Sequence, residues 1–287
     1  MSLTPKAKNL GGGMVVRRAL PAIERRTVGP FVFFDHMGPA HFEPGQGLDV
    51  RPHPHIGIST VTYLFDGEIM HHDSLDSHQA IQPGAINWMV AGRGIVHSER
   101  KPVRASTTAF TLHGIQLWVA LPKDKEEMAP SFSHHPGDSI PTVERPGATL
   151  RVLLGRVYGV ESPVPAESRL FYVHAELQAG AELEIPADFD ERAVYLVEGA
   201  LRYGEIVEAE PQMLILADGS QGVLQAATDC RVMLLGGDRL EGKRHLWWNF
   251  VSSSKARIEE AKADWKAGRH FEKIPGDDVE FIPLPEY

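Results

Sequence analysis

Two short segments of this chain carry side chains that could hold a metal ion. Arg51-Pro52-His53-Pro54-His55-Ile56-Gly57 sets two histidines two residues apart, and Gly92-Arg93-Gly94-Ile95-Val96-His97-Ser98-Glu99 sets a histidine and a glutamate at the same spacing. In a β-strand, residues i and i+2 leave the same face. Each pair can therefore project into a barrel lumen, and two such strands facing each other would bring three imidazoles and a carboxylate to one point. Pro52 and Pro54 suit extended backbone but cannot donate to a sheet ladder, which predicts an edge or irregular strand here.

Neutral imidazoles with one carboxylate suit a divalent transition metal rather than Ca²⁺ or Mg²⁺, which prefer all-oxygen shells. Iron(II), manganese, cobalt, nickel, copper and zinc all fit this donor set. Four protein ligands on a six-coordinate ion leave two positions, enough for a substrate oxygen and dioxygen side by side, unlike a closed structural site. A lone H-x-H in a β-rich chain is more often a surface or hydrogen-bonded pair than a ligand pair. The joint occurrence of both motifs, with a strand, an acidic-Gly turn at Asp66-Gly67 and a Pro83-Gly84 turn between them, is what predicts a metal site. His97→Ala is expected to cost most of the bound metal and leave a soluble protein.

The chain has 287 residues, 43% hydrophobic and 23% charged, long enough for two ordinary domains. No stretch approaches the roughly 20 apolar residues that span a bilayer. Residues 1–13 lack the apolar core of a signal peptide, so a cytoplasmic location is expected. The single cysteine, Cys230, excludes a disulfide framework within the chain and a Cys-based zinc site, and reads as a small buried residue. With 29 basic against 38 acidic residues and a net charge of -9, no basic face is evident, which argues against direct nucleic-acid binding. Of 14 histidines, eight fall between His36 and His97, less than a quarter of the chain.

The elements that would position these groups are short. Glycine (27) and proline (21) punctuate runs rich in Val, Ile, Leu, Tyr and Phe, the pattern of many short strands in a sandwich or barrel. Examples are 31–34, 59–65, 86–90, 111–120, 150–154, 193–197, 212–216 and 231–235. The exception is Ser254 to Lys266, where Ile258, Ala261 and Trp265 recur at helical spacing and Gly268 stands past the end, which predicts one amphipathic helix packed on a barrel. A Pro-, Ser-, His- and Gly-rich segment, Pro130 to Pro146, reads as a loop and a domain boundary. Thr62-Tyr63-Leu64-Phe65-Asp66-Gly67 resembles Val194-Tyr195-Leu196-Val197-Glu198-Gly199, so one β-domain is expected to occur twice. The expected domains are 1–135, carrying the metal, and 147–287, with the helix.

These motifs carry a family resemblance. H-x-H followed by a strand and Gly, then P-G and G-x-x-H, resembles the two cupin motifs. The strings VGPFVFFDHMGP, PHPHIG, VTYLFDGEIMHHDS and PGAINWMVAGRGIVHSE, within residues 10–120, are similar to those of the pirin family, as are LWWNFVSSS and the following helix. The resemblance implies an all-β bicupin: two jelly-roll (double-stranded β-helix) barrels packed face to face with a C-terminal helix, and iron(II) in the first, held by His53, His55, His97 and Glu99. Many cupins carry a glutamate soon after H-x-H. Ser59 and Thr60 stand there in this chain, so Glu99 would supply the carboxylate, as in pirins. Aligning the repeated turns puts Ile185 and Ala187 at the positions of His53 and His55, so the second barrel is expected to hold no metal.

For several bacterial members the resemblance further implies quercetin 2,3-dioxygenase activity, in which dioxygen opens a flavonol with release of carbon monoxide. Glu99 would then be the catalytic base for the substrate hydroxyl, and the partners a small aromatic substrate and dioxygen. The alternative is a non-catalytic metal-binding regulator acting through a protein partner. An enzyme would need a mostly apolar pocket above the metal, and nothing resembles a nuclear targeting cluster.

Other histidines and aromatics are expected to be structural. His36 and His41 flank a Gly38-Pro39 turn and would bond locally in a loop. His71, His72 and His78 follow the first acidic-Gly turn and are expected to face solvent, with contact to the metal's surroundings or to substrate conceivable. His134 and His135 would be solvated. Arg93 would be fixed by backbone bonding, Trp88 and Met89 would wall the site or fill the core, and Trp247 and Trp248 would pack the C-terminal segment.

Overall fold

The computed structural model describes residues 1–11 and 14–286. Short antiparallel strands dominate, and one α-helix, Lys255–Ala267, lies near the C-terminus. The chain divides into two compact units that interleave along the sequence. One gathers Lys8–Val16, Met37–Gly137 and Leu240–Tyr287; the other gathers Met1–Ala7, Arg17–His36 and Asp138–Arg239. The expected division into 1–135 and 147–287 therefore differs from the observed one at both ends. Residues 17–36 belong with the later barrel, and the helix with the earlier one. The strand Phe31–Phe42 passes from one unit to the other. Strand periodicity is local and does not reveal which unit a strand joins, which is why this exchange left no mark in the sequence.

A seven-stranded sheet, of whose last three strands only residues 37–42, 14–16 and 8–11 belong to the first of these units, follows the order Ser131–His135, Ile86–Val90, Ile58–Asp66, Phe110–Ala120, Phe31–Phe42, Met14–Leu20, Lys6–Gly11. A four-stranded sheet runs Val50–His55, Ile95–Arg100, Ile69–Asp73, His78–Ile81. Met37, Phe42, Leu48, Leu64, Ile69, Ile81, Phe110 and Leu112 form a buried apolar cluster at one end. The segment 130–146, expected to be a loop, contains two strands. Ser131–His135 pairs with Ile86–Val90, and Thr142–Arg145 pairs with Ala148–Val157. Its polar composition reflects strands whose side chains are mostly half-buried, in Ser131–His135, or exposed, in Thr142–Arg145.

The helix starts one residue after Ser254, whose side chain accepts from the Arg257 amide, and ends at Gly268 with φ +64. Ile258 and Ala261 are buried and share a cluster with Ile56 and Phe250, with Trp247, Trp248, Trp265 and Phe271 packed against it. Asp264 is buried as well, where it accepts from His270 Nδ1 at 2.8 Å. The helix and the segment before it thus belong to the barrel that carries the two motifs.

In the other unit, the main sheet runs Ser2–Leu3, Met213–Ile215, Glu191–Glu198, Cys230–Gly237, Leu170–Leu177, Ala148–Val157, Thr142–Arg145, with Val160–Glu161 attached. A four-stranded sheet carries Glu182–Glu184, Val223–Ala226, Leu201–Tyr203 and Ile206–Glu208. Its apolar core gathers Leu150, Val152, Phe171, Val173, Leu183, Ile185, Val194, Leu196, Val232 and Leu234, with Cys230 buried among them. Ile185 is one of the two residues aligned with the histidine pair; Ala187 is exposed. The repeated acidic-Gly turns both end a long strand, at Asp66-Gly67 and Glu198-Gly199. Among the described residues, no helix is long and apolar enough to cross a membrane.

Candidate metal centre

The strand Val50–His55 pairs with Ile95–Arg100 so that His53 stands opposite His97 and His55 opposite Ile95, with a register shift between His97 and Glu99. On the other flank, Ile69–Asp73 sets Asp73 opposite His97 and His71 opposite Glu99. Opposed residues in an antiparallel ladder share a face. One row across the sheet is therefore His53, His97, Asp73, and the next carries Glu99 and His71. After His55 the chain reverses at Gly57, whose φ is +69 and whose missing side chain matters, since a Cβ there would stand 2.0 Å from the Val251 carbonyl oxygen. Gly92, before the second motif, makes the same kind of approach to Met128.

His53, His55 and His97 converge, with a ring nitrogen of each within 4.8 Å of the others'. All three are buried, at 7%, 1% and 2% exposure. His55 Nε2 and His97 Nε2 lie 3.1 Å apart. His53 Nδ1 donates to the Arg51 carbonyl at 2.8 Å, and His55 Nδ1 donates to the Asn249 carbonyl at 3.2 Å. A carbonyl can only accept, so both rings carry their proton on Nδ1 and present a bare lone pair at Nε2. That is how metal-binding histidines are commonly oriented. Two nitrogens bound at right angles to one ion at about 2.1 Å stand about 3 Å apart. The His55–His97 separation matches this, and the donor set fits a transition-metal ion.

Burial also sets the charge. It pushes His53 down to about 4, against the Arg51 bond that favours its protonated form, with His71 adding to the lowering. His55 and His97 are held well below the ordinary histidine value by burial and then by the neighbouring imidazoles. The three rings are therefore neutral near pH 7, the form that binds a metal.

The Glu99 carboxylate is not part of the three-histidine cluster. It is buried, at 6% exposure, and its Oε1 accepts from the Gln116 side-chain amide at 2.6 Å. Burial raises it to about 7, with the Gln116 bond opposing. His71, expected to face solvent, is 5% exposed and stacks on Phe132 with ring centroids 4.3 Å apart. Its Nε2 meets Asp73 Oδ2 at 2.9 Å, and its Nδ1 lies 3.5 Å from His97 Nδ1. Burial would raise Asp73, but the bonds from His71 and Ser77 outweigh it and hold the carboxyl below its ordinary value. Trp118 meets the His55 ring edge to face at 5.0 Å.

The remaining histidines divide differently from expectation. His36 is fully buried within the strand Phe31–Phe42, against Tyr195 Oη at 3.0 Å and the Arg17 guanidinium at 3.1 Å, so it sits in no loop. His41 and His78 are exposed, and His72 is half-buried. His134 is half-buried, with Nδ1 2.7 Å from Asn87 Oδ1, and His135 bonds Ser133 at 3.1 Å. Both belong to a strand rather than a solvated linker. Trp88 and Met89 are core residues, each 1% exposed. Arg93 is exposed, and its carbonyl accepts from Arg257 at 2.7 Å. A cavity of about 760 Å³ in this unit is lined by Ser74, Arg93, Lys123, Glu126, Arg257 and Asp264 among others, and by none of the clustered histidines. Sequence reasoning missed Asp73, Gln116 and Asn249. Asp73 alone left a signal, two residues after His71 in the same strand.

Comparison with known proteins agrees with this architecture. The family model described as Pirin matches residues 13–119, and that described as Pirin C-terminal cupin domain matches residues 172–271. A pirin-like protein of Caulobacter vibrioides is 51% identical over 282 residues, covering 96% of each chain. A Pseudomonas aeruginosa protein provisionally named a quercetin 2,3-dioxygenase is 38% identical, covering 99% of this chain and 90% of its own. A crystal structure of quercetin 2,3-dioxygenase from Acinetobacter baumannii superposes with a TM-score of 0.93 at 33% identity, covering 100% of this chain and 95% of that one. The two family models together match more than half of the chain, and a pirin-like protein shares half of its residues over nearly all of it: the chain belongs to the pirin family.

Proposed function

We propose that this chain is a metal-dependent dioxygenase of the pirin type, cleaving a flavonol such as quercetin by 2,3-dioxygenation, or a related aromatic substrate. The observation that carries the reading is the convergence of three buried, neutral imidazoles, two of them with Nε2 bared by a backbone carbonyl behind the ring. The similarity to proteins named quercetin 2,3-dioxygenase supports the reaction class. His53, His55, His97 and Glu99 would hold the ion. Iron(II) is our choice, ahead of manganese, cobalt, nickel, copper and zinc, and the setting is the cytoplasm. When bound, the ion supplies Lewis acidity and redox chemistry toward dioxygen.

The protein's own part is positional. The carbonyls of Arg51 and Asn249 lock the rings of His53 and His55. Glu99, two residues beyond His97 in the same strand and oriented by Gln116, would accept the proton of the substrate 3-hydroxyl. To do so it must lengthen any bond to the ion, which separates its two roles experimentally. Low exposure of the histidines keeps bulk water from the centre.

The test is oxygen consumption and carbon monoxide release with quercetin after anaerobic iron(II) reconstitution, beside His53→Ala. Metal-dependent turnover that His53→Ala abolishes is expected. Full metal loading without turnover of quercetin or related aromatics overturns the dioxygenase reading and favours a metal-binding regulator acting through a protein partner.

A further inference from the structure

We propose that Asp73 and His71 are positioning residues that set the tautomer of His97, through a relay running from carboxylate to imidazole to imidazole. The inference rests on the reading of His97 as a metal ligand. His53 and His55 each have a backbone carbonyl behind the ring; His97 has His71 instead, with the two Nδ1 atoms 3.5 Å apart. Two imidazoles facing each other through Nδ1 can share only one proton, so something further away must decide which ring holds it.

Asp73 decides. Its Oδ1 accepts from the amides of Leu75, at 2.9 Å, and Ser77, at 3.1 Å, which fixes the carboxylate in place. Its Oδ2 faces His71 Nε2 at 2.9 Å. A carboxylate offers no proton here, so His71 must donate from Nε2, which in the neutral ring leaves a lone pair at Nδ1. His97 then donates from Nδ1, and its Nε2 is bared toward the His55 Nε2 that lies 3.1 Å away. The stack of His71 on Phe132, with planes 12° apart, holds the relaying ring in the required plane. All three residues are buried, so water does not compete for these bonds. His97 thereby gains through a side chain two residues long in relay what the other two histidines gain from the backbone.

Asp73→Asn is the discriminating variant. The two backbone amides keep the amide oxygen where Oδ1 stands, which turns the Nδ2 group toward His71. His71 must then accept at Nε2 and donate from Nδ1, and His97 must accept at Nδ1 and carry its proton on Nε2. The shape is preserved and the ligand is switched off. Long-range ¹H–¹⁵N spectra of the metal-free full chain read each tautomer directly. We expect His97 to carry its proton on Nδ1 in the wild type and on Nε2 in Asp73→Asn, and cobalt(II) affinity to fall ten- to hundredfold in the variant. His71→Phe, which keeps the stack and removes both nitrogens, should weaken cobalt(II) binding in the same direction. A wild-type His97 protonated on Nε2, or a folded Asp73→Asn variant with unchanged tautomer and cobalt(II) affinity, overturns the relay. Unchanged cobalt(II) binding in His97→Ala instead overturns the ligand assignment beneath it.

Discussion

The carbonyl oxygen of Asn249 accepts from His55 Nδ1 at 3.2 Å across 194 residues of sequence. The segment that supplies this oxygen is seated by Gly57. The Val251 amide donates to the Ile56 carbonyl at 3.3 Å, and Phe250 bridges Ile56. The position of the imidazole therefore depends on a glycine two residues beyond it.

Gly57→Ala should displace that segment, because its Cβ would stand 2.0 Å from the Val251 carbonyl and the backbone is left-handed there, with φ +69. Expected are a destabilisation of about 1–3 kcal/mol from strain and a loss of metal affinity of about tenfold or more. Denaturant unfolding and metal titration measure the two effects. Unchanged metal affinity would show that Asn249 does not orient His55.

Glu99→Gln keeps shape and the Gln116 contact's neighbourhood but removes the proton acceptor. Turnover should fall by about 10²–10⁴, far more than metal content falls. Metal analysis beside kcat separates the two. Parallel loss of both would make Glu99 a ligand alone.

Metal removal should lower the melting temperature, because an ion that binds only the folded state stabilises it by about 2.7 kcal/mol at a hundred times its Kd. Calorimetry with and without chelator reads the shift. His97→Ala is expected to abolish it, and a full shift in that variant would exclude His97 from the site.

Glu126 and Arg244 form a buried pair, with the Arg244 Nε 2.8 Å from Glu126 Oε1, and Glu126 also accepts from Ser252 and Ser253. Arg244→Met should cost about 3–5 kcal/mol, since it strands a buried carboxylate. Adding Glu126→Gln should recover much of that loss. Chemical denaturation of the single and double variants tests whether the recovery occurs.

Acid should loosen the tail. Asp277 accepts from Arg100 and from Ser98, which lies between His97 and Glu99. The Arg100 bond is the main cause that holds Asp277 below the ordinary aspartate value. A depressed carboxyl contributes stability above its unfolded-state value and loses it as pH falls through the folded one. Both groups are half-buried and still reached by solvent, so the effect is modest. Hydrogen exchange around residues 270–282 should quicken as pH drops below the aspartate range, after correction for intrinsic rates, and Asp277→Asn should remove that pH dependence.

The three histidines were legible because strand geometry is local. Spacing of two residues places side chains on one face, and His53, His55 and His97 do converge. The helix was legible for the same reason, with Ile258 and Ala261 inward. The partners that orient the ligands were not. Arg51 and Asn249 act through backbone carbonyls, which every residue has, so no residue type marks them. Gln116 is an ordinary polar residue inside a largely apolar strand of the seven-stranded sheet, and it reaches Glu99, in the four-stranded sheet, through tertiary packing that no local pattern encodes. His71 reads as a surface residue because nothing local marks Ser131–His135, whose Phe132 stacks on its ring, as a strand.

The exchange of segments between the two units also sets an order for synthesis. Chains are made from the N-terminus, and His53, His55 and His97 emerge from the ribosome about 150 to 200 residues before Asn249 and the helix that share their unit. Through that interval the cage lacks one wall and His55 lacks its brace. A nascent chain would thus meet the cell's metal pool with an unfinished site until Asn249 and the helix have emerged and joined it.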